Sequence, residues 1–534
     1  MSSVVFVTGR NQCGAVALFS SICYVNLPMK TAKWNYKGVV IFGPPASGKT
    51  TLARELRLRE RGVFCLEGSK VLRSFGTVLS REEARALYGR LVKSHGKTFI
   101  GKALERVALK KGGFVIASGL RGYENAVYLK ERGYFVVCLE ASQSALLRRL
   151  CIRGDGRSLQ KEIKDEERIY HTKHIKKVAH VVFHTEKERV VAMAKKILDE
   201  VRYRECRICV NGNRNPVIRL SGEGYCDICA QFRKYFRKSI LKDELRAFTS
   251  QVGKGHRGFD IMVGISGGKD SSAMLRQLQK RGFRILAFSF DTGYYPKHVF
   301  SRAARVARQL GVQYKRIDIR PYIRPIDRRS FALTAALYDE KPSPKLSEKF
   351  RRLYKEGRKH YSVKCSHALP FVRTCQLCRR VVIRAYYAEA LKHGVRTVVL
   401  GINEWAHLSK HGRAPEFRAT RVLKPFHNKP AVSIVHSPFL FRRTEKETKK
   451  ILKKMGWELP PGEKLIETNA NSCLFARAAE TKALHMLGFH PDATRLSREV
   501  TAGFITKKRA EKALSVTHQS RYSVRHILAK ANIL

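Results

Sequence analysis

The chain has 534 residues, 44% of them hydrophobic, with 105 Lys and Arg against 44 Asp and Glu, a formal net charge of +61. That length exceeds one core, and that apolar content excludes an intrinsically disordered chain. The positive charge is spread along the chain, so its field draws polyanions, nucleic acid first; with no run of about 20 uninterrupted apolar residues, no membrane-spanning helix and no membrane partner are expected.

Cys13 to Leu27 is largely apolar and resembles a short signal core, but Arg10 is the only charge before it and an ATP-type loop follows within about one strand. Met29 is therefore expected as the start, with residues 1–28 an over-extended reading frame within a leader that runs to residue 32. Residues 33–203 alternate short apolar strands (Val39–Phe42, Phe114–Ala117, Phe135–Leu139, Val181–Phe183) with helical patterns, which means α/β with a parallel sheet. After the first strand, Gly43-Pro44-Pro45-Ala46-Ser47-Gly48-Lys49-Thr50 fits the G-x-x-x-x-G-K-[ST] phosphate loop. Gly43 and Gly48 let backbone amides close on phosphates, Lys49 reaches the terminal phosphates, and Thr50 holds Mg²⁺. Ser47 and Thr51 complete the nucleotide-binding set, and the helix opening near Lys49 offers its positive end to the anion.

Residues 204–232 carry Cys206-x2-Cys209, sixteen residues, then Cys226-x2-Cys229. Two such knuckles place four thiolates as a structural Zn²⁺ requires, and the metal supplies fold energy that so small and polar a segment lacks. Of 13 cysteines, the patterned ones form CxxC pairs, which in an ATP-using chain points to a reducing, cytoplasmic compartment. Residues 233–440 form a second α/β run with strands Ile261–Gly264, Ile285–Phe290 and Thr397–Leu400. Ser266-Gly267-Gly268-Lys269-Asp270-Ser271 after its first strand is a Gly-rich loop of another kind, a nest of amides at a helix N-terminus. Residues 340–380, with 12 Lys/Arg against 3 Asp/Glu, read as a loop or helical insert facing a polyanion, Arg379-Arg380 included. Residues 441–534 read as basic and mainly helical.

Four resemblances follow from these motifs. The Gly43–Thr51 loop, Ser118-Gly119-Leu120-Arg121 and Arg148-Arg149-Leu150-Cys151-Ile152-Arg153-Gly154 resemble small P-loop kinases of the nucleoside, adenylate and dephospho-CoA kinase kind. The last stretch is similar to a lid that neutralises phosphate charge. Relatives carry Asp-Gly where this chain has Ser118-Gly119; Glu67 or Asp155 are the candidates to replace that carboxylate. Phe259 through Ser272 resembles the pyrophosphate-loop (PP-loop) ATPases, of the HUP or adenine-nucleotide α-hydrolase fold. This implies cleavage of ATP between its α and β phosphates, pyrophosphate held by Ser266, Gly267, Gly268, Lys269 and Ser271, Asp270 on its Mg²⁺, and Asp291 and Gly401 at the strand ends of the site.

The ribbon just before that loop, with Ser497-Arg498-Glu499-Val500 and Gly503-Phe504-Ile505-Thr506, resembles N-acetyl sugar amidotransferase-like proteins. Cys375-Gln376-Leu377-Cys378, Gly401-Ile402-Asn403-Glu404 and Cys473 resemble the tRNA thiolases, in many of which three such cysteines hold a 4Fe–4S cluster with one iron left open. Against the sugar branch, Arg379 stands where a His is usual, and Gly401-Ile402-Asn403 where Gly-Glu-Asn is. The expected whole is two doubly wound nucleotide-binding domains joined by a zinc ribbon. Its expected activity is an ATP-dependent tRNA sulfurtransferase with Asp270, Cys375, Cys473 and Lys49 as catalytic residues, and a second, kinase activity at Lys49. The alternative is a sugar or metabolite amidotransferase fused to a metabolite kinase. A third reading is a regulatory RNA-binding protein with both nucleotide sites degenerate. A sulfur or ammonia donor protein and a second copy of the chain are the further partners this class implies.

Overall fold

The computed structural model describes residues 34–534 apart from 78–79, 153–164, 166, 256–257, 361–366, 410–414, 424–428, 459–472 and 517–519. The leader, the Met29 start, and Arg153, Gly154 and Asp155 of the expected lid lie outside the described residues.

The first unit is a five-stranded parallel sheet, β1 (Gly38–Phe42), β2 (Val63–Glu67), β3 (Phe114–Ser118), β4 (Phe135–Glu140) and β5 (Val181–His184), in the order β2-β3-β1-β4-β5. The central strand β1 reads Gly-Val-Val-Ile-Phe and is buried along its whole length. Both faces are covered: Val39 and Ile41 pack with Leu52 and Leu56 of helix α1 (Lys49–Arg59), while Val40 and Phe42 pack with Leu104 and Leu129. A run of apolar residues without polar alternation is what a parallel strand between two helical layers needs. Helix α2 (Gln143–Ile152) follows β4.

The second sheet has six strands: β6 (Ile261–Gly264), β7 (Ile285–Asp291), β8 (Gln313–Asp318), β9 (Thr397–Leu400), β12 (Thr420–Leu423) and β13 (Val432–His436). The order is β12-β13-β9-β6-β7-β8, all parallel except the edge strand β12. A short hairpin, β10 (His407–Ser409) with β11 (Glu416–Arg418), stands apart. Ile261 and Val263 face one layer and Met262 the other.

The ribbon ends in helix α3 (Asp227–Tyr235), and α4 (Lys269–Gln279) follows β6. Beyond the sheet lies a third core built by helices α5 (Pro325–Asp339), α6 (Pro344–His360), α7 (Thr374–Lys392), α8 (Leu474–Leu487) and α9 (Val524–Lys530). Phe331, Phe350, Leu377, Phe475 and Leu528 meet there. Residues 473–489 and 524–533 therefore share their core with residues 325–392. Helix α6 turns Leu346, Phe350, Leu353 and Tyr354 inward, so only its other face is basic surface. The expected polyanion surface also loses Arg380, which is fully buried and donates to Asp327 (2.7 Å) and Ser330 (2.9 Å); Arg384 binds the same carboxylate. A guanidinium on an otherwise apolar helix face was satisfied by an acid on α5 that its own sequence neighbourhood does not show. Among the described residues no helix is long and apolar enough to cross a membrane.

Candidate active site

The first phosphate loop runs from β1 to α1. Gly48 is the N-cap of α1 and is left-handed, with φ 88°, a region a side chain enters only under strain. Lys49 lies back on its own loop, Nζ donating to the carbonyls of Gly43 (2.8 Å) and Pro44 (2.6 Å). Ser47 is fully buried, while Thr50 and Thr51 are exposed beside it. Arg149 of α2 is tied down: its guanidinium donates to the carbonyl of Ala46 (3.3 Å) and to Oγ1 of Thr185 (2.9 Å). It closes one side of the loop and is not a free lid. Glu67, at the end of β2, is in register with Ser118 at the end of β3, and Ser118 with Ile41 just before the loop. Glu67, a candidate substitute for the absent carboxylate, is thus placed on this sheet edge.

The second loop opens on a cavity of about 1110 Å³. Gly264 ends β6, Gly268 caps α4, and Ser266, Lys269, Asp270 and Ser271 line the space between. The Ser271 hydroxyl receives the amide of Ser266 (3.2 Å) and donates to the Gly268 carbonyl (3.1 Å), which fixes the loop's curvature. Gly267 has φ 69°, and a Cβ there would stand 2.5 Å from Arg302 Cγ and 2.7 Å from its backbone. Its carbonyl accepts from Nε1 of Trp457 at 3.1 Å. Gly401 abuts the first turn of α4, where a Cβ would meet Ser271 at 3.3 Å. Arg443, almost wholly buried, donates to the Asp270 carbonyl at 3.1 Å and stands 3.8 Å from its carboxylate. Asp291 is absent from the cavity lining and accepts from Arg316 Nε (3.0 Å) and the Gly293 amide (2.9 Å). The strand-end position is as expected, but alternation turns its neighbours Phe290 and Thr292 to the cavity instead.

The same cavity is lined by Cys375, Cys378 and Cys473. Cys375 sits in the first turn of α7 and Cys473 is the N-cap of α8, accepting the amide of Ala476. Cys378 Sγ is 2.6 Å from the hydroxyl of Tyr294. Burial pushes Cys375 up to about 11 and Cys378 up to about 12, and Cys473 well above the ordinary thiol range, each raised further by a neighbouring charge or thiol. Held so, they are neutral thiols; becoming thiolates requires a cation or a bound electrophile beside them.

Residues to which the sequence assigned no role complete the cavity. Glu404 is buried, and burial alone would raise its carboxyl, but the guanidinium groups of Arg498, Arg379 and Arg495 outweigh it and hold it below the usual range. Arg498 lies on helix α10, which we define as Ala493–Thr501. It stands 3.3 Å from both oxygens of Glu404. His436, at the end of β13, donates from Nδ1 to the Glu404 carbonyl at 2.8 Å, and burial pulls it down to about 4, so it is neutral. Glu404 was legible one residue after Gly401-Ile402-Asn403; His436 had no local signal.

Cys206, Cys209, Cys226 and Cys229 are fully buried, with ligand atoms all within 4.8 Å of one another, the one such group among the described residues. A tetrahedron with metal–sulfur bonds of ~2.3 Å has edges of about 3.8 Å, and Cys209 and Cys226 are 3.6 Å apart. The amides of Cys226 and Cys229 donate to Cys206 and Cys226 sulfurs, as in metal knuckles. The donor set fits a metal closed to substrate. The three cavity thiols match an iron–sulfur cluster in donor type, at wider spacing than the ribbon's.

Residues 39–170 match the family model described as AAA domain, and residues 260–369 the model described as queuosine biosynthesis protein QueC. No curated protein matches the chain. Among solved structures, the tunicamycin resistance protein of Deinococcus radiodurans is similar at 18% identity over 31% of this chain and 94% of its own, with a TM-score of 0.24. A sugar kinase of Janibacter sp. HTCC2649 is similar at 16% identity over 31% of this chain and 95% of its own (TM-score 0.21). The NMN synthetase of Francisella tularensis is similar at 12% identity over 55% of this chain and 92% of its own (TM-score 0.22). Residues 39–170 are thus similar to a P-loop nucleotide-binding domain and residues 260–369 to a PP-loop ATPase-type domain.

Proposed function

We propose that the second domain adenylates a carbonyl oxygen on a base of RNA, tRNA foremost, and replaces that oxygen with sulfur handled by Cys375, Cys378 and Cys473. One observation carries this reading: the three thiols and the PP loop line one cavity. The carbonyl oxygen attacks the α-phosphorus of ATP, its bond to the β-phosphate breaks, and pyrophosphate leaves with Mg²⁺ beside Asp270 and Lys269. A sulfide equivalent from a donor protein then attacks the activated carbon, and AMP departs with the former carbonyl oxygen. A cluster held by the three cysteines would supply a place to carry that sulfide. The basic surface holds the RNA backbone, and the P-loop domain phosphorylates a related substrate or gates the reaction by its nucleotide state.

The test is anaerobic purification with iron, sulfide and zinc analysis, comparing wild type with Cys375→Ala, Cys378→Ala and Cys473→Ala, followed by nucleoside analysis of RNA incubated with ATP and sulfide. The expected result is a thiolated nucleoside, lost in all three variants while ATP-dependent pyrophosphate release and ribbon metal persist. RNA left unmodified by wild type, with pyrophosphate released on a sugar or metabolite and ammonia, would transfer the reading to an amidotransferase.

A further inference from the structure

The cavity carries more positive charge than ATP accounts for. Eight Lys and Arg side chains line it against three carboxylates, Asp270, Glu404 and Glu499. Lys269 and Arg302 belong to the PP loop and the helix packed on it. Arg373, Arg379, Arg495 and Arg498 gather instead around Cys375 and Glu404: Arg373 and Arg495 act on the Cys375 thiol, and Arg379, Arg495 and Arg498 on the Glu404 carboxylate. They come from distant stretches of chain, two flanking the first turn of α7 and two a turn apart on α10. Three carboxylates answer them: Glu404 pairs with Arg498, Glu499 with Arg495, and the buried Asp492 acts on Arg373 and Arg495. His436, being neutral, adds no charge. Four permanent cations against three anions leave a surplus of one on partly buried side chains, where unbalanced charge is costly unless a ligand completes it. The planar, forked donors of arginine match the oxygens of a phosphate ester, whose negative charge meets that surplus.

We infer that this arginine cluster binds the phosphate ester of the acceptor, holding the molecule by its phosphate while its carbonyl meets ATP at the PP loop. The inference rests on the adenylating reading and adds the handle by which the acceptor is gripped. In RNA that phosphate is already present next to the base. For a small acceptor, the reaction class that must supply it is phosphoryl transfer from a nucleoside triphosphate, the chemistry a P-loop domain of the same chain is built for.

Calorimetric titration of the full chain, with both ATP sites filled by a non-hydrolysable analogue, tests this with uridine 5′-monophosphate, uridine and ribose 5-phosphate as probes. Uridine monophosphate is expected to bind at least about tenfold more tightly than uridine, and Arg495→Gln/Arg498→Gln to lose about tenfold or more of that affinity, the scale of a charge-assisted hydrogen bond. ATP-analogue affinity and ribbon metal content stay at wild-type values. Should the double variant fail to fold, Arg498→Lys and Arg379→Gln carry the test, each expected to weaken uridine monophosphate and not uridine. Uridine binding as tightly as its monophosphate, or variants that bind the monophosphate like wild type, would overturn the phosphate site and leave adenylation standing. Arginine-dependent binding of ribose 5-phosphate equal to that of uridine monophosphate would support the phosphate site and remove the RNA reading instead.

Discussion

The two phosphate loops of this chain are made in the same way and surrounded differently. Each follows a buried parallel strand, turns on a left-handed glycine and opens a helix. At the first, Lys49 rests on its own loop carbonyls, Arg149 is pinned across Ala46, and the sheet edge carries a serine where a carboxylate is usual. At the second, the loop is braced from behind by Arg302 and Trp457, and its open side faces thiols and arginines brought from three helices. A loop of amides makes a nucleotide site wherever it is built; the opposite wall decides what is done with the nucleotide.

The largest effect that would sharpen the contrast is at the two lysines. Lys269→Ala is expected to slow pyrophosphate release about 10²–10³-fold, as loss of a charge-stabilising donor does. Lys49→Ala should leave that rate unchanged and weaken nucleotide binding at the first loop only. Equal loss of pyrophosphate release in both variants, read in one steady-state assay, would break the contrast and make the two sites one relayed chemistry. The glycines come next. Gly267→Ala drives a Cβ into Arg302 at a strained φ and should cost roughly 2–4 kcal/mol, seen as a lowered melting transition of the second domain. Gly48→Ala has nothing within 4 Å of its new Cβ, so only backbone strain remains, about 1 kcal/mol.

A smaller effect follows from His436, held at about 4 by burial. As pH falls through the ordinary histidine value near ~6.5, the unfolded chain gains a proton that the folded chain refuses until about 4. Stability is therefore complete above that window and lost on acidification within it, by about 1 kcal/mol at pH ~5.5. His436→Gln should remove this slope in calorimetry of the second transition. The smallest effect is Trp457→Phe, which removes one neutral hydrogen bond to Gly267, about 1 kcal/mol or less, with a modest rise in KM for ATP.

What was legible in the sequence is what is local. The phosphate loops need glycine at fixed offsets from a strand, the ribbon needs cysteines at fixed spacing, and both were visible. The strands at 261–264 and 397–400 stood out because both faces are buried. Strands β2 and β8 were not visible: both are edge strands, half exposed, and Gln313-Tyr314-Lys315-Arg316-Ile317-Asp318 carries little apolar signal. Cys375, Cys378 and Cys473 were singled out by spacing, but their meeting in the PP-loop cavity depends on helices packing 95 residues apart in sequence. Of the arginines around Glu404, Arg379 and Arg498 lay in stretches already singled out but for other reasons, and Arg373 and Arg495 carry no motif, because they reach the cavity only through the packing of α7 and α10. Arg380 shows the opposite failure, a residue read as surface that an acid on a neighbouring helix draws into the core.

Helix α10 has two clients. On one side Thr501 lies 3.1 Å from the ribbon sulfur of Cys229, and on the other Arg495 and Arg498 reach the cavity. Whatever free energy a metal in the ribbon spends on holding that helix in place is shared with any ligand that grips its arginines. By reciprocity, such a ligand returns the same factor to the metal, so that chelators would compete more poorly with the ribbon when acceptor is present.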